Sequence, residues 1–183
     1  MDKKKVITIV VPLLIGGGIL FSLRALLEPK SASAPAVSAT GTSVVPPNAA
    51  HEKASLEEEL RKNPGHPPIL LRLAELASSE GKAPDAIRYL RQAVEADPKN
   101  ADARLELGRA LHDTGDIEGA IKETTQLVKD HPDNVDGLYN LGAIYANQGK
   151  NDLARQYWNQ AVVAGPASES GVKAKDGLAK LGL

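Results

Sequence analysis

Apolar residues in the C-terminal two-thirds of this chain recur at helical spacing, and the helical stretches come in pairs. Leu138, Leu141, Ile144 and Tyr145 fall on one stripe, and Leu153, Ala154, Tyr157, Trp158, Ala161 and Val162 on a second. Steps of three and four place each set on one face of a helix. Gly149 stands between them, where a turn needs positive φ and glycine adopts it at little cost. Pro166 closes the pair, because proline has no N–H to continue a helix interior. The predicted unit is helix, turn, helix.

That unit repeats. Prolines stand at 64, 98, 132 and 166, each 34 residues after the last. Other columns keep the same beat: Leu73, Leu107 and Leu141; Ala74, Gly108 and Gly142; Gly81, Gly115 and Gly149; Ala86, Ala120 and Ala154; Ala93, Leu127 and Ala161. Gly142 in a helix interior costs up to about 1 kcal/mol relative to alanine. Its column is small because a neighbouring helix is expected to cross closely there. A phosphate loop would need its glycines closer together and after a strand.

The pattern resembles the tetratricopeptide repeat (TPR), a 34-residue unit with a large residue, Leu-Gly, an aromatic, Ala, a second aromatic, Ala and Pro at set intervals. The third unit carries it most fully, in Leu138, Leu141-Gly142, Tyr145, Ala154, Trp158, Ala161 and Pro166. The second keeps Leu107-Gly108, Ala120 and Pro132 but has Arg104, Leu111, Thr124 and Leu127 in the other columns. The first has Leu70, Leu73, Ala74, Ala77, Ala86, Leu90, Ala93 and Pro98 there. The resemblance implies an all-α fold: a right-handed superhelical stack of about three hairpins with capping helices at both ends. The expected boundaries are 67–100, 101–134 and 135–166 for the units, 51–66 for the N-terminal cap and 167–183 for the C-terminal cap. Ser55-Leu56-Glu57-Glu58 has capping-box spacing. Leu56 and Leu60 fall in the columns of Leu90 and Val94, one period earlier. In the final helix, Val172, Leu178 and Leu181 are expected to cover the last repeat.

The first fifty residues read differently. After the basic flank 1–5, the run from Val6 to Leu27 is mostly apolar and uncharged except for Arg24. As a helix it would be roughly 33 Å long, against a hydrocarbon core of about 30 Å, with Arg24 near enough to the end to snorkel. We read 6–27 as one N-terminal transmembrane signal-anchor helix. A cleaved secretory signal would have a shorter apolar stretch, and Ala32-Ser33-Ala34 is followed by Pro35. With Lys3, Lys4 and Lys5 on the cytoplasmic side, the repeats would lie across the membrane, in the periplasm if the source is bacterial. Residues 28–50, rich in Ala, Ser and Pro, form the tether, spanning about 26 Å as a flexible chain.

Composition narrows the chemistry. The chain has 22 basic and 23 acidic residues, of which residues 1–50 hold five basic and two acidic. The remaining body is mildly acidic, which argues against nucleic acid. No cysteine is present, so disulfides and thiol nucleophiles are excluded. His51, His66, His112 and His131 are not spaced as metal ligands, and no Walker loop or Ser-His-Asp order appears. Asp113, Asp116 and Glu118 straddle a helix end, where they can cap the helix at Ile117. Trp158 occupies a packing column. The expectation is a non-enzyme without cofactor or metal. The alternative of another class is a small hydrolase or transferase built on His112, Asp113 and Asp116.

Stacked hairpins leave a concave face lined by the first helix of each pair. By resemblance to the family, the residues expected there are Leu71, Glu75 and Ser78 from the first unit, Leu105, Arg109 and His112 from the second, and Tyr139, Ala143 and Ala146 from the third. Leu71, Leu105 and Tyr139 would form an apolar ladder for a protein or peptide partner. The family's two-carboxylate clamp for chaperone tails is disfavoured, since its columns hold Leu71, Glu75, Glu106, Asp136 and Asn140. The expected function is a membrane-tethered scaffold or adaptor supporting an envelope protein complex. An alternative is an assembly factor of the cytochrome c maturation kind, whose repeat-containing subunits have a similar single span and leader.

Overall fold

A computed structural model describes residues 48–182; the expected basic flank, transmembrane helix and nearly all of the tether lie outside them. Among the described residues there are eight helices and no strand. These are α1 (Ala49–Lys62), α2 (Pro67–Ser79), α3 (Ala83–Ala96), α4 (Ala101–Asp113), α5 (Ile117–Asp130), α6 (Val135–Asn147), α7 (Asn151–Ala164) and α8 (Glu169–Lys180). None of them is long and apolar enough to cross a membrane. Helices α2–α3, α4–α5 and α6–α7 form antiparallel pairs, and each pair packs against the next, so the fold is an all-α stack.

Each hairpin turns by the same device. Gly81, Gly115 and Gly149 have φ of 72°, 85° and 72°. The following amide reaches back five residues: Lys82 N to Ala77 O (2.8 Å), Asp116 N to Leu111 O (2.9 Å) and Lys150 N to Tyr145 O (2.9 Å). This is the Schellman closure, which satisfies a carbonyl the helix leaves open. Between hairpins the helices end at Asn63, Asp97, His131 and Gly165, each followed by one of the periodic prolines. Helix α2 then starts at His66 with a proline in its first turn and no side-chain cap, whereas the later helices start on side-chain caps: Asn100 accepts from Ala103 N, Asn134 from Gly137 N and Ser168 from Gly171 N. A cap of this kind is worth about 1 kcal/mol.

The core runs along the stack between the helix layers. Leu70, Leu73, Leu127, Leu138 and Leu141 are fully buried, as are the alanine columns 86, 120, 154 and 93, 161. The small column at the first helix faces a large one at the second. A Cβ on residue 142 would lie 2.3 Å from Trp158 Cδ1, and one on residue 108 would lie 2.5 Å from Thr124 Oγ1. The close approach expected at Gly142 is therefore real, and the neighbour is the second helix of its own hairpin. Trp158 is buried and donates from Nε1 to Tyr139 O at 3.2 Å.

Arg104 breaks the apolar column of Leu70 and Leu138, yet it is buried. Its Nη1 meets Glu123 Oε2 at 2.6 Å and its Nη2 donates to Pro98 O at 2.7 Å. A buried charge is tolerable only with such partners.

The two end helices depart from expectation in detail. Ser55 does not start a helix: α1 begins six residues earlier, and its N-cap Asn48 makes no side-chain bond. Alanines at 49, 50 and 54 favour continuing the helix, and its first turns are anchored to α2 by Glu52–Arg72 and Lys53–Glu80 ion pairs. Leu56 and Leu60 pack against the core that includes Leu70, Leu73 and Leu90. At the other end, Val172 is 49 % exposed and is not part of the apolar packing on the last repeat. The packing face of α8 instead runs through Ser170, Gly171, Ala174, Gly177, Leu178 and Leu181. Small residues win because the helix lies very close: a Cβ on residue 177 would meet the Trp158 ring at 2.8 Å. Ser170 also donates a short hydrogen bond to Asp136 on α6.

Candidate partner groove

The first helices α2, α4 and α6 line one face, and two clefts open along it. The wider, about 700 Å³, lies between α2 and α4. It is lined by Leu71, Arg72, Ala74, Glu75 and Ser78 from α2, Leu90 from α3, and Asn100, Asp102 and Glu106 at α4, with Pro68 at one end. The narrower, about 170 Å³, lies between α4 and α6. Gly108, Arg109, His112, Asp113, Thr124, Asn140, Ala143, Ile144 and Asn147 line it.

The narrower cleft has a local cause in the sequence. Where the third hairpin fills the space over Gly142 with Trp158, the second sets Thr124 over Gly108. Gly108 and the smaller Thr124 both line the cleft at that point.

Of the nine expected groove residues, Leu71, Glu75 and Ser78 meet in the wider cleft, and Arg109, His112 and Ala143 in the narrower one. Tyr139 and Ala146 are half-buried against the core around Leu138 and Trp158 and line neither. Leu105 is a correction: it keeps only 9 % exposure, so the apolar ladder has no accessible middle rung. Its helix packs against α3, α5 and α6, and Leu105 falls on the enclosed side of α4 with Ala103, Leu107 and Gly108 rather than on the open side with Glu106 and Arg109.

Leu90, Asp102, Thr124 and Asn147 also line the clefts, outside the expected set, as do Glu106 and Asn140 from the clamp columns. Leu90 and Thr124 belong to second helices. Their signal was the small column opposite, since Ala74 and Gly108 do not cover what lies behind them. Asp102 lies one helical turn from Glu106, and Asn147 one turn from Ala143, on the same helix faces.

The electrostatics are local pairings. Glu52 and Glu75 both bind Arg72, at 2.6 Å each, and hold its guanidinium above its ordinary pKa. The Glu52 carboxyl is correspondingly lowered by the Arg72 hydrogen bond. Lys82 and Lys53 lower Glu80 in the same way. His112 Nδ1 lies 3.3 Å from Asp113 Oδ1, but Asp116 turns away and accepts from Gly119 N at 2.9 Å as the cap of α5. The three residues of the hydrolase alternative thus do not converge on one point. Among the described residues, no group of three or more acidic or histidine side chains could hold a metal ion. His131 Nε2 is engaged with Lys99 O at 2.9 Å.

Two tetratricopeptide-repeat family models match the chain, over residues 77–134 and 113–169. No curated protein matches it in sequence. Solved structures share the fold. A crystal structure of MamA superposes with a TM-score of 0.61 at 23 % identity, covering 72 % of this chain and 80 % of that one. YrrB, described as a TPR protein with an unusual peptide-binding site, gives a TM-score of 0.61 at 23 % identity, over 70 % of this chain and 66 % of its own. Residues 77–169 of this chain are accordingly built of tetratricopeptide repeats.

Proposed function

We propose that this repeat chain is a scaffold whose concave groove receives an extended or helical segment of a protein partner. The observation that carries the reading is the pair of clefts set end to end along α2, α4 and α6, with half-buried apolar floor and exposed polar rim. Such a surface suits peptide recognition, with pockets for side chains giving specificity. The peptide-binding site described for YrrB supports the same use of a similar stack. The apolar run 6–27 and the tether 28–50 add the second half of the proposal: the scaffold is anchored in a membrane, faces away from the cytoplasm and supports assembly or stability of an envelope complex. A cytochrome c maturation complex is one such assembly.

Co-purification of the full-length chain from its native membrane, compared with Arg109→Ala/Ala143→Trp, tests the proposal. Trp at 143 fills the narrower cleft. Loss of a specific partner from the variant, with the fold intact by circular dichroism, is the expected result. Unchanged recovery of every specific partner rejects the groove as the docking site.

A further inference from the structure

The two clefts differ in charge. The floor of the wider one is apolar, made by half-buried Leu71 with buried Ala74 and Leu90. Its rim carries three exposed carboxylates: Glu75 from α2, and Asp102 and Glu106 one turn apart on α4. Arg72 is the one cation in this lining, and its guanidinium is already shared between Glu52 and Glu75. Glu106 reaches Arg109 at 3.2 Å in an exposed pair, which is weak in water. Asp102 makes no salt bridge among the described residues. The rim therefore holds uncompensated negative charge above a greasy floor, a combination that focuses attraction on cations.

We infer that the α2–α4 cleft selects a basic residue of the partner polypeptide. The methylene stem of a Lys or Arg lies over Leu71 and Leu90, and its charged head reaches the rim of Glu75, Asp102 and Glu106. Long basic side chains divide in this way between apolar and charged surroundings. The occupant is an extended peptide segment with a Lys or Arg beside an apolar residue. This rests on the proposed use of the groove and adds the chemistry of its partner.

A phage-displayed library of random 12-residue peptides, selected on the full-length chain in mild detergent, supplies the probe. One selected peptide is then measured by fluorescence anisotropy against the wild type, Glu75→Gln/Asp102→Asn/Glu106→Gln and Ala143→Trp. All three carboxylates are exposed, so the neutralised variant should fold, as circular dichroism will check. The expected result is enrichment of Lys or Arg next to apolar residues, affinity about tenfold lower for the neutralised variant, and weakening by added salt. Neutral or acidic selected peptides, or equal affinity for the neutralised variant, overturn the inference. If such peptides still lose affinity for Ala143→Trp, the groove survives and only its charge preference fails. If no peptide is selected, both readings fail.

Discussion

The indole of Trp158 occupies the space that a side chain on residue 142 would need, 2.3 Å from where its Cβ would stand. One glycine thus sets the distance between α6 and α7. Adding a methyl group there should force Trp158 from its bonded position against Tyr139 O. Overpacking costs typically 1–3 kcal/mol, partly offset by alanine's better helix propensity. We expect Gly142→Ala to lose about 1–2 kcal/mol in urea denaturation, with Gly108→Ala losing less because Thr124 is the smaller obstacle.

The turn glycines make a contrasting prediction. At Gly81, Gly115 and Gly149 nothing lies within 4 Å of an added Cβ, so only backbone strain is felt. Replacement by alanine should cost each hairpin about 1 kcal/mol, and Gly149→Asn should cost less, since asparagine tolerates this conformation. Thermal unfolding of the three alanine variants should give similar shifts. Unequal shifts would show that the turns are not equivalent.

Arg104 and Glu123 should behave as a unit. Arg104→Ala strands Glu123, whose side chain is 16 % exposed, and breaking such a pair costs about 3–5 kcal/mol when fully buried, rather less here. Arg104→Leu/Glu123→Leu restores the apolar column of Leu70 and Leu138 and should come close to wild-type stability. A double variant as unstable as the single one would mean that the lost hydrogen bond to Pro98 O dominates.

Acid should loosen α1 first. Glu52 and Glu80 join α1 to α2, and both titrate below the usual 4.5 in the folded chain. Groups with lowered pKa stabilise the fold above their unfolded value and lose that contribution as pH falls through the folded one. Amide protection in α1 should therefore drop below about pH 4.5 before that of α4 to α7. Glu52→Gln/Glu80→Gln should show the loose α1 already at pH 7.

Most of this architecture was legible because it repeats. A turn glycine, a terminal proline and paired alanines recurring at one interval pin the hairpins far more firmly than any single helix pattern could. The ends were less legible. Val172 reads as core by hydrophobicity, but α8 lies closest at Gly171 and Gly177, so its packing face runs through Ser170, Gly171, Ala174 and Gly177 as well as Leu178 and Leu181. The groove was read from first helices alone, which found Glu75, Arg109 and Ala143. It missed Leu90 and Thr124, because a second-helix side chain reaches the groove only where the helix in front is small. Leu105 occupies the same column as Leu71 and Tyr139 yet is buried, since a repeat column does not reveal how far each side chain is enclosed.

The proposed placement of the repeats outside the cytoplasm can be tested directly, because the chain has no cysteine. Lys122→Cys places a single thiol at a side chain that is 83 % exposed. A membrane-impermeant maleimide should label it in intact cells or spheroplasts. Labelling only after lysis would put the repeats on the cytoplasmic side and end the envelope proposal.

The central claim is that the partner lies on the face formed by α2, α4 and α6. Photo-crosslinking amino acids placed singly at residues 75, 109 and 143, and at 122 and 163 outside the groove, test it in the native membrane. We predict the same discrete adduct from 75, 109 and 143 and none from 122 or 163. Adducts confined to 122 or 163, or none that distinguish the two faces, would contradict it.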